Sequence, residues 1–294
     1  MLYLISFPIF LVLLVLLIII IKTYSCVEFF KSTHLGIEDT KHFNDYIISI
    51  DSAMYDNKVG VNLYNQGRFR DKYLSMLYPV HKRYNYMLKE YIQKSKKLTK
   101  NIPVFNKYKW NFLCSKHGLE LNMPYTIHDY IVIPENMLES IYKRYITRKE
   151  ICKRFLNTFI HERLHIVQRF NQAKFNKYYR ERYSFLKGFY KKQIPKEIRS
   201  KQMSNPDSNN SISIYKLDNQ LYYTLLRHHN GNLDSIAINI KNGDIIDLDY
   251  IKKQLGYDDD ISFYHPNEIF ACEVAKKIEN KKYNNKDIKF LKSL

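Results

Sequence analysis

Hydrophobic residues run without a charge from Leu2 to Ile21, about the length a helix needs to cross a bilayer. No charged amino-terminal region, short apolar stretch and small-residue cleavage site marks a cleavable signal before Lys22-Thr23-Tyr24-Ser25, so the run predicts a retained single-pass anchor. From Val27 to about Lys100 the pattern turns helical, with Tyr73, Met76, Leu77, Val80 and Tyr84 at three- and four-residue spacing and basic residues between them. Asn101-Ile102-Pro103 breaks it. Trp110 to Leu121 and Thr126 to Ile133 read as extended, bounded by Pro124 and Pro134, and predict a short sheet. A helix is expected over Met137 to Tyr145. A longer one is expected within Arg148 to Phe170, where Phe155, Leu156, Phe159, Ile160, Leu164 and Val167 form an apolar stripe.

Phe175 to Lys192 continues with aromatic and basic residues, and Ile194-Pro195 and Ser204 to Asn210 then mark a loop rich in turn formers. Four short strands follow, at Ser211 to Tyr215, Tyr222 to Leu226, Ser235 to Ile240 and Ile245 to Leu248, with hairpin turns at Asn230-Gly231 and Asn242-Gly243. A final helix starts near His265-Pro266-Asn267. The expected organisation is α+β: a transmembrane anchor at 1–22, a basic helical region at 23–102, and a domain at 103–294 with a small sheet and a central helix.

Charge adds a partner class. Lys and Arg exceed Asp and Glu by 18, which draws the chain towards anionic lipid, nucleic acid or an acidic protein, without the compact motif of a DNA-reading module. Lys22 and Lys31 flank the apolar run on its carboxyl side and place the large domain on the cytoplasmic face of a viral or host membrane. The sequon Asn209-Asn210-Ser211 becomes relevant only if that orientation is reversed. Cys26, Cys114, Cys152 and Cys272 form no CxxC pair, so neither a disulfide scaffold nor a cysteine zinc knuckle is indicated.

The strongest chemical signal is His161-Glu162-Arg163-Leu164-His165. Residues four apart on a helix lie one above the other, so both imidazoles can face one metal ion with Glu162 beside them. Zinc held by three protein ligands keeps a place for water and acidifies it, and an adjacent glutamate can take the proton and deliver it to a leaving amine. The reading is a zinc-dependent peptidase with His161 and His165 as ligands and Glu162 as general base. Tyr130 to Ile133 is expected to supply the sheet edge along which a peptide lies.

For the third ligand the expectation is Glu268, in the first turn of the last helix, where Ala271 and Ala275 allow close helix packing. Glu273 and His265 are the alternatives; Glu273 lies about 500° around the helix from Glu268 and His265 precedes Pro266. Together, His161 to His165 and Glu268 to Ala275 resemble the gluzincin arrangement, in which a glutamate on a downstream helix completes the site. The run Pro124 to Ala275 also resembles uncharacterised, membrane-anchored proteins of large DNA viruses, through Ile131-Val132-Ile133, Ile160-His161-Glu162, Gln168-Arg169, Asn205-Pro206-Asp207 and His265-Pro266-Asn267-Glu268. The resemblance implies a zincin-like fold and Zn2+. The insert between His165 and Glu268 is much longer than in compact gluzincins.

Tyr215, Tyr222, Tyr223, His228 and His229 in that insert are the candidates for stabilising an oxyanion, and Asn205-Pro206-Asp207 is a candidate anchor for a ligand histidine. Two function classes stand: a membrane-tethered zinc endopeptidase acting on a protein or peptide, and a noncatalytic basic membrane protein with a structural or vestigial metal. Another zinc hydrolase is a third. The intact Glu162 favours catalysis, because a purely structural site needs the histidines but not that carboxylate.

Overall fold

The apolar stripe of residues 155–167 belongs to the helix around which the rest of the protein is built. The computed structural model describes residues 37–294 apart from 51, 62, 64, 184, 187–202, 204, 209–212, 218, 230–231 and 255–263. Its helices are α1 (Ile37–Ser49), α2 (Tyr55–Val59), α3 (Gln66–Ser75), α4 (Asn85–Leu98), α5 (Glu135–Arg148), α6 (Lys153–Phe170), α7 (Gln172–Tyr183), α8 (Leu248–Gln254), α9 (Pro266–Glu279) and α10 (Lys286–Lys292).

One sheet holds β1 (Leu77–Pro79), β2 (Asn111–Ser115), β3 (Tyr125–Ile127) and β4 (Tyr130–Pro134) in the order β1-β2-β4-β3. Strands β2 and β4 are parallel and the other two pairs antiparallel. The run expected to be continuous over Thr126 to Ile133 is a hairpin, turned at His128, whose φ of 52° lies in the left-handed region. This corrects the expected sheet edge. Strand β4 is buried throughout and sits between two neighbours, as suits an uninterrupted apolar run, and β3 is the edge strand on its side of the sheet, opposite β1.

A second sheet, an antiparallel meander, holds β5 (Phe185–Leu186), β6 (Ser213–Leu217), β7 (Gln220–His229), β8 (Asn232–Asn239) and β9 (Ile245–Asp247). Gly243, at φ 79°, allows the turn into β9. The Asn230-Gly231 turn and the Asn209 sequon lie outside the described residues.

The expected fold class is corrected in two respects. The protein is mixed α/β with two small sheets rather than one. Among the described residues, moreover, no helix is long and apolar enough to cross a membrane, and residues 2–21, on which the anchor expectation rests, lie outside them. The expected helical region at 23–102 also contributes a strand to the first sheet. Strand β1 pairs with β2 across residue 102, and Tyr91 of α4 packs edge-on to Phe155 of α6 with ring centroids 4.9 Å apart. The segment had looked helical because short helices surround a strand too brief to show period-two alternation.

The central turns of helix α6 are buried. Glu162 to Gln168 are all buried, with Leu164, Ile166 and Val167 at 0% exposure, and each such side chain contributes roughly 1.5–3 kcal/mol by leaving water. Ala271 and Ala275 of α9, also fully buried, let that helix approach closely. The close approach sets the site.

Candidate metal centre

Helical spacing alone stacks His161 and His165, and their Nε2 atoms lie 2.9 Å apart. Helix α9 brings Glu268 between them. Its Oε2 is 3.3 Å from His161 Nε2 and its Oε1 is 3.5 Å from His165 Nε2. Tetrahedral zinc with ligands at about 2.05 Å separates its donors by about 3.3 Å, so the three spacings bracket what one zinc ion requires. Of the competing third ligands, His265 caps α9, its Nδ1 accepting from Asn267 N at 3.1 Å. Glu273 accepts from Tyr183 OH at 3.1 Å and meets Lys277, away from the histidines.

Each donor has an outer partner. His165 Nδ1 lies 2.7 Å from Gln168 Oε1, while Gln168 Nε2 donates to the Asn267 carbonyl and to Tyr179 OH, both at 2.9 Å. A carbonyl only accepts, so the Gln168 amide must face it with its NH2 and turn its oxygen to His165. The proton of His165 is thereby placed on Nδ1, and the Nε2 lone pair is free for metal. Glu268 Oε1 accepts from Asn205 Nδ2 at 2.9 Å, and the same amide group donates to Tyr264 OH. Cys272 Sγ lies 3.8 Å from His161 Nδ1. Replacing Gln168 with Leu removes the tautomer lock. Zinc affinity is expected to fall about 10–100-fold in a chelator competition with the fold retained; an unchanged affinity would refute the lock.

The charges suit a cation. Burial works against ionisation of Glu268, but His165 and His161 outweigh it and hold its carboxyl well below the usual range. Burial likewise opposes a charge on His165, yet Asp207 and Glu268 raise it to about 9. Burial, with Asp207 close by, lifts Glu162 to about 8. Glu162 Oε2 is buried without a hydrogen-bond partner among the described residues. A second group of potential donors, Glu162, His165 and Asp207, also lies within 4.8 Å. It shares His165 with the first, whose Nδ1 is already committed to Gln168, so the two groups are alternatives.

No protein-family model, curated protein or solved structure matches this chain.

A cleft of about 470 Å³ opens onto the site, lined by His161, Glu162, Glu268 and Cys272 and, along the sheet edge, by Leu121 to Tyr125 without Asn122. Its outer wall is strained. Glu120, Leu121 and Asn122 are consecutive non-glycine residues at φ 47°, 58° and 59°, each in the left-handed region. The buried Glu120 carboxylate holds the turn by accepting from Lys58, from Tyr46 OH at 2.8 Å and from Tyr73 OH at 3.0 Å.

Of the expected oxyanion candidates, Tyr215, Tyr222 and Tyr223 are buried in the cores and line no part of the cleft; His228 and His229 lie on β7. The tyrosine beside the donors is Tyr264, which sequence reading passed over for want of any periodic signal. Its hydroxyl oxygen accepts from Asn205, leaving its proton to donate, and burial raises its pKa well above that of a free phenol. Asn205-Pro206-Asp207, expected to anchor a histidine, instead brings Asn205 to the carboxylate of Glu268.

Proposed function

We propose that this chain is a zinc-dependent peptidase that hydrolyses peptide bonds, with His161, His165 and Glu268 holding the metal and Glu162 acting as general base. One observation carries this reading: three donor side chains at zinc spacing stand next to a buried carboxylate oxygen that has no hydrogen-bond partner among the described residues. When bound, zinc supplies Lewis acidity and lowers the pKa of water.

The protein's own groups do the rest. Glu162 takes the proton of the attacking water and returns it to the departing amine, which is why an ionisable group must stand beside the histidines rather than in line with them. Tyr264 donates its hydroxyl proton to the oxygen that becomes negative as the carbonyl is attacked. Asn205 and Gln168 keep Glu268 and His165 in orientation while this happens.

Elemental analysis of the purified full-length chain tests the metal assignment. About one zinc per chain is expected, lost in His161→Ala, His165→Ala and Glu268→Ala. Retention of zinc in Glu268→Ala with loss in Asp207→Asn would move the metal to the alternative group around Glu162. Absence of zinc from the wild-type protein under zinc-replete conditions would overturn the peptidase reading.

A further inference from the structure

The open edge beside the metal is blocked partway along. Thr126, the middle residue of β3, turns its backbone polar groups outward. Its N–H donates to Asp207 Oδ1 at 2.9 Å and its C=O accepts from Arg169 Nη2 at 3.0 Å. The Thr126 hydroxyl donates to the same Asp207 oxygen. Arg169 also binds the carbonyls of His128, at 2.7 Å, and Pro206, at 3.3 Å. On the other side, Asn267 Nδ2 donates to the Asp207 carbonyl at 2.8 Å, tying the segment to α9. Residues Asn205 to Ser208 are therefore stapled across the sheet edge at Thr126.

Two hollows result. The cleft with the metal donors runs along the Leu121-to-Tyr125 side, and a separate hollow of about 270 Å³, walled by Ile127, His128 and Arg169, lies on the far side. Pro206 borders both. An extended peptide that adds to a sheet edge pairs through alternate residues. At Thr126 both pairing groups are taken, whereas two residues earlier Pro124 offers a carbonyl. A peptide can thus run outward from the metal past Pro124 and Leu121, but it cannot continue beyond Thr126. The cleft is blind at one end.

The chemistry of the blind end selects which terminus sits there. Asp207 Oδ1 is committed to Thr126, but among the described residues Oδ2 has no hydrogen-bond partner, and Asp207 faces the cleft within 4.8 Å of Glu162 and His165. The adjacent cation, Arg169, reaches only the Oδ1 side of Asp207, at 3.7 Å, while it donates to backbone carbonyls and walls the other hollow, so Oδ2 is the oxygen left to the cleft. A carboxyl terminus would meet two carboxylates here. An α-ammonium would meet a fixed anion, and a peptide lying antiparallel to β3 has its amino terminus at the Thr126 end.

We infer that the protein is an aminopeptidase: Asp207 binds the α-ammonium of a peptide whose remaining residues leave along the Pro124 side. The inference rests on the peptidase reading above. Water adds across the first peptide bond, the C–N bond breaks, the new carboxylate stays on the released amino acid and the shortened peptide departs as the amine carrying the transferred proton.

The test uses the zinc-loaded full-length protein and a pair of peptides identical except for acetylation of the α-amine, with products followed by mass spectrometry. Stepwise loss of single residues from the free peptide is expected, with acetylation lowering kcat/KM on the order of 10²-fold through loss of the charge pair. Asp207→Asn keeps an acceptor for Thr126 but lacks the anion, so it should raise KM for the free peptide and abolish the difference between the two substrates. Internal cleavage of both peptides at equal rates would overturn the inference and leave the peptidase reading standing. No hydrolysis of either by the metal-bound protein would overturn both. The comparison on the unaltered protein decides the matter even if the variant fails to fold.

Discussion

Glu162→Gln is expected to retain zinc and fold while losing about 10²–10⁴-fold in kcat, because the proposed mechanism gives its carboxylate the proton of the attacking water. The amide is nearly isosteric, and Glu162 makes no hydrogen bond through Oε2 that the fold would miss among the described residues. The loss should therefore fall on kcat rather than on KM or thermal stability. His161→Ala, by contrast, should lose activity together with metal. Activity in Glu162→Gln within about threefold of wild type, with zinc bound, would show that another group is the base.

Arg163→Met is expected to be the most damaging substitution to the fold. Arg163 occupies a variable position of the metal motif, yet it is 0% exposed. Its guanidinium donates to the carbonyls of Phe105 at 3.1 Å, Lys109 at 2.5 Å and Tyr108, and it stacks over Trp110 at 4.5 Å. It thereby fixes the residues leading into β2 against the face of α6 opposite the metal. Burial pulls its pKa down to about 10, and the three carbonyls answer its charge. Methionine would fill much of the volume but leave those acceptors without a donor, at roughly 1–3 kcal/mol each before relaxation. A loss of about 3–5 kcal/mol is expected, a large part of the 5–15 kcal/mol typical of a domain. Urea unfolding reads it as a lower midpoint at unchanged slope. Arg163→Lys should recover only part of it, since an ammonium lacks the planar fork. A change under about 1 kcal/mol for methionine would refute this role.

Arg163 also illustrates why part of the site is not legible along the chain. Helical spacing makes His161 and His165 neighbours whatever surrounds them, and the Pro266 helix start makes Glu268 a first-turn carboxylate. These are local geometries. Gln168 reaches its carbonyl partner 99 residues away, and Asp207 reaches Thr126 across 81. Tyr264 sits alone before α9 and acquires meaning only beside Asn205. The order of strands is similarly nonlocal: Thr126 to Ile133 is extended in both readings, but which half forms the edge depends on β2 pairing with β4 rather than with β3.

The sequence by itself determined the four-residue spacing of His161 and His165, the buried face of α6, the existence of most helices and of the β6 to β9 strands, and the excess of positive charge. These follow from periodicities of 3.6 and 2 and from turn chemistry, which act over a few residues. Only the tertiary structure decided that β3 is the edge, that Gln168 and Asn205 orient the donors, that Arg163 holds the framework, and that residues 205–208 close one end of the cleft. Each of those depends on hydrogen bonds between segments that the chain separates and only packing brings within about 3 Å.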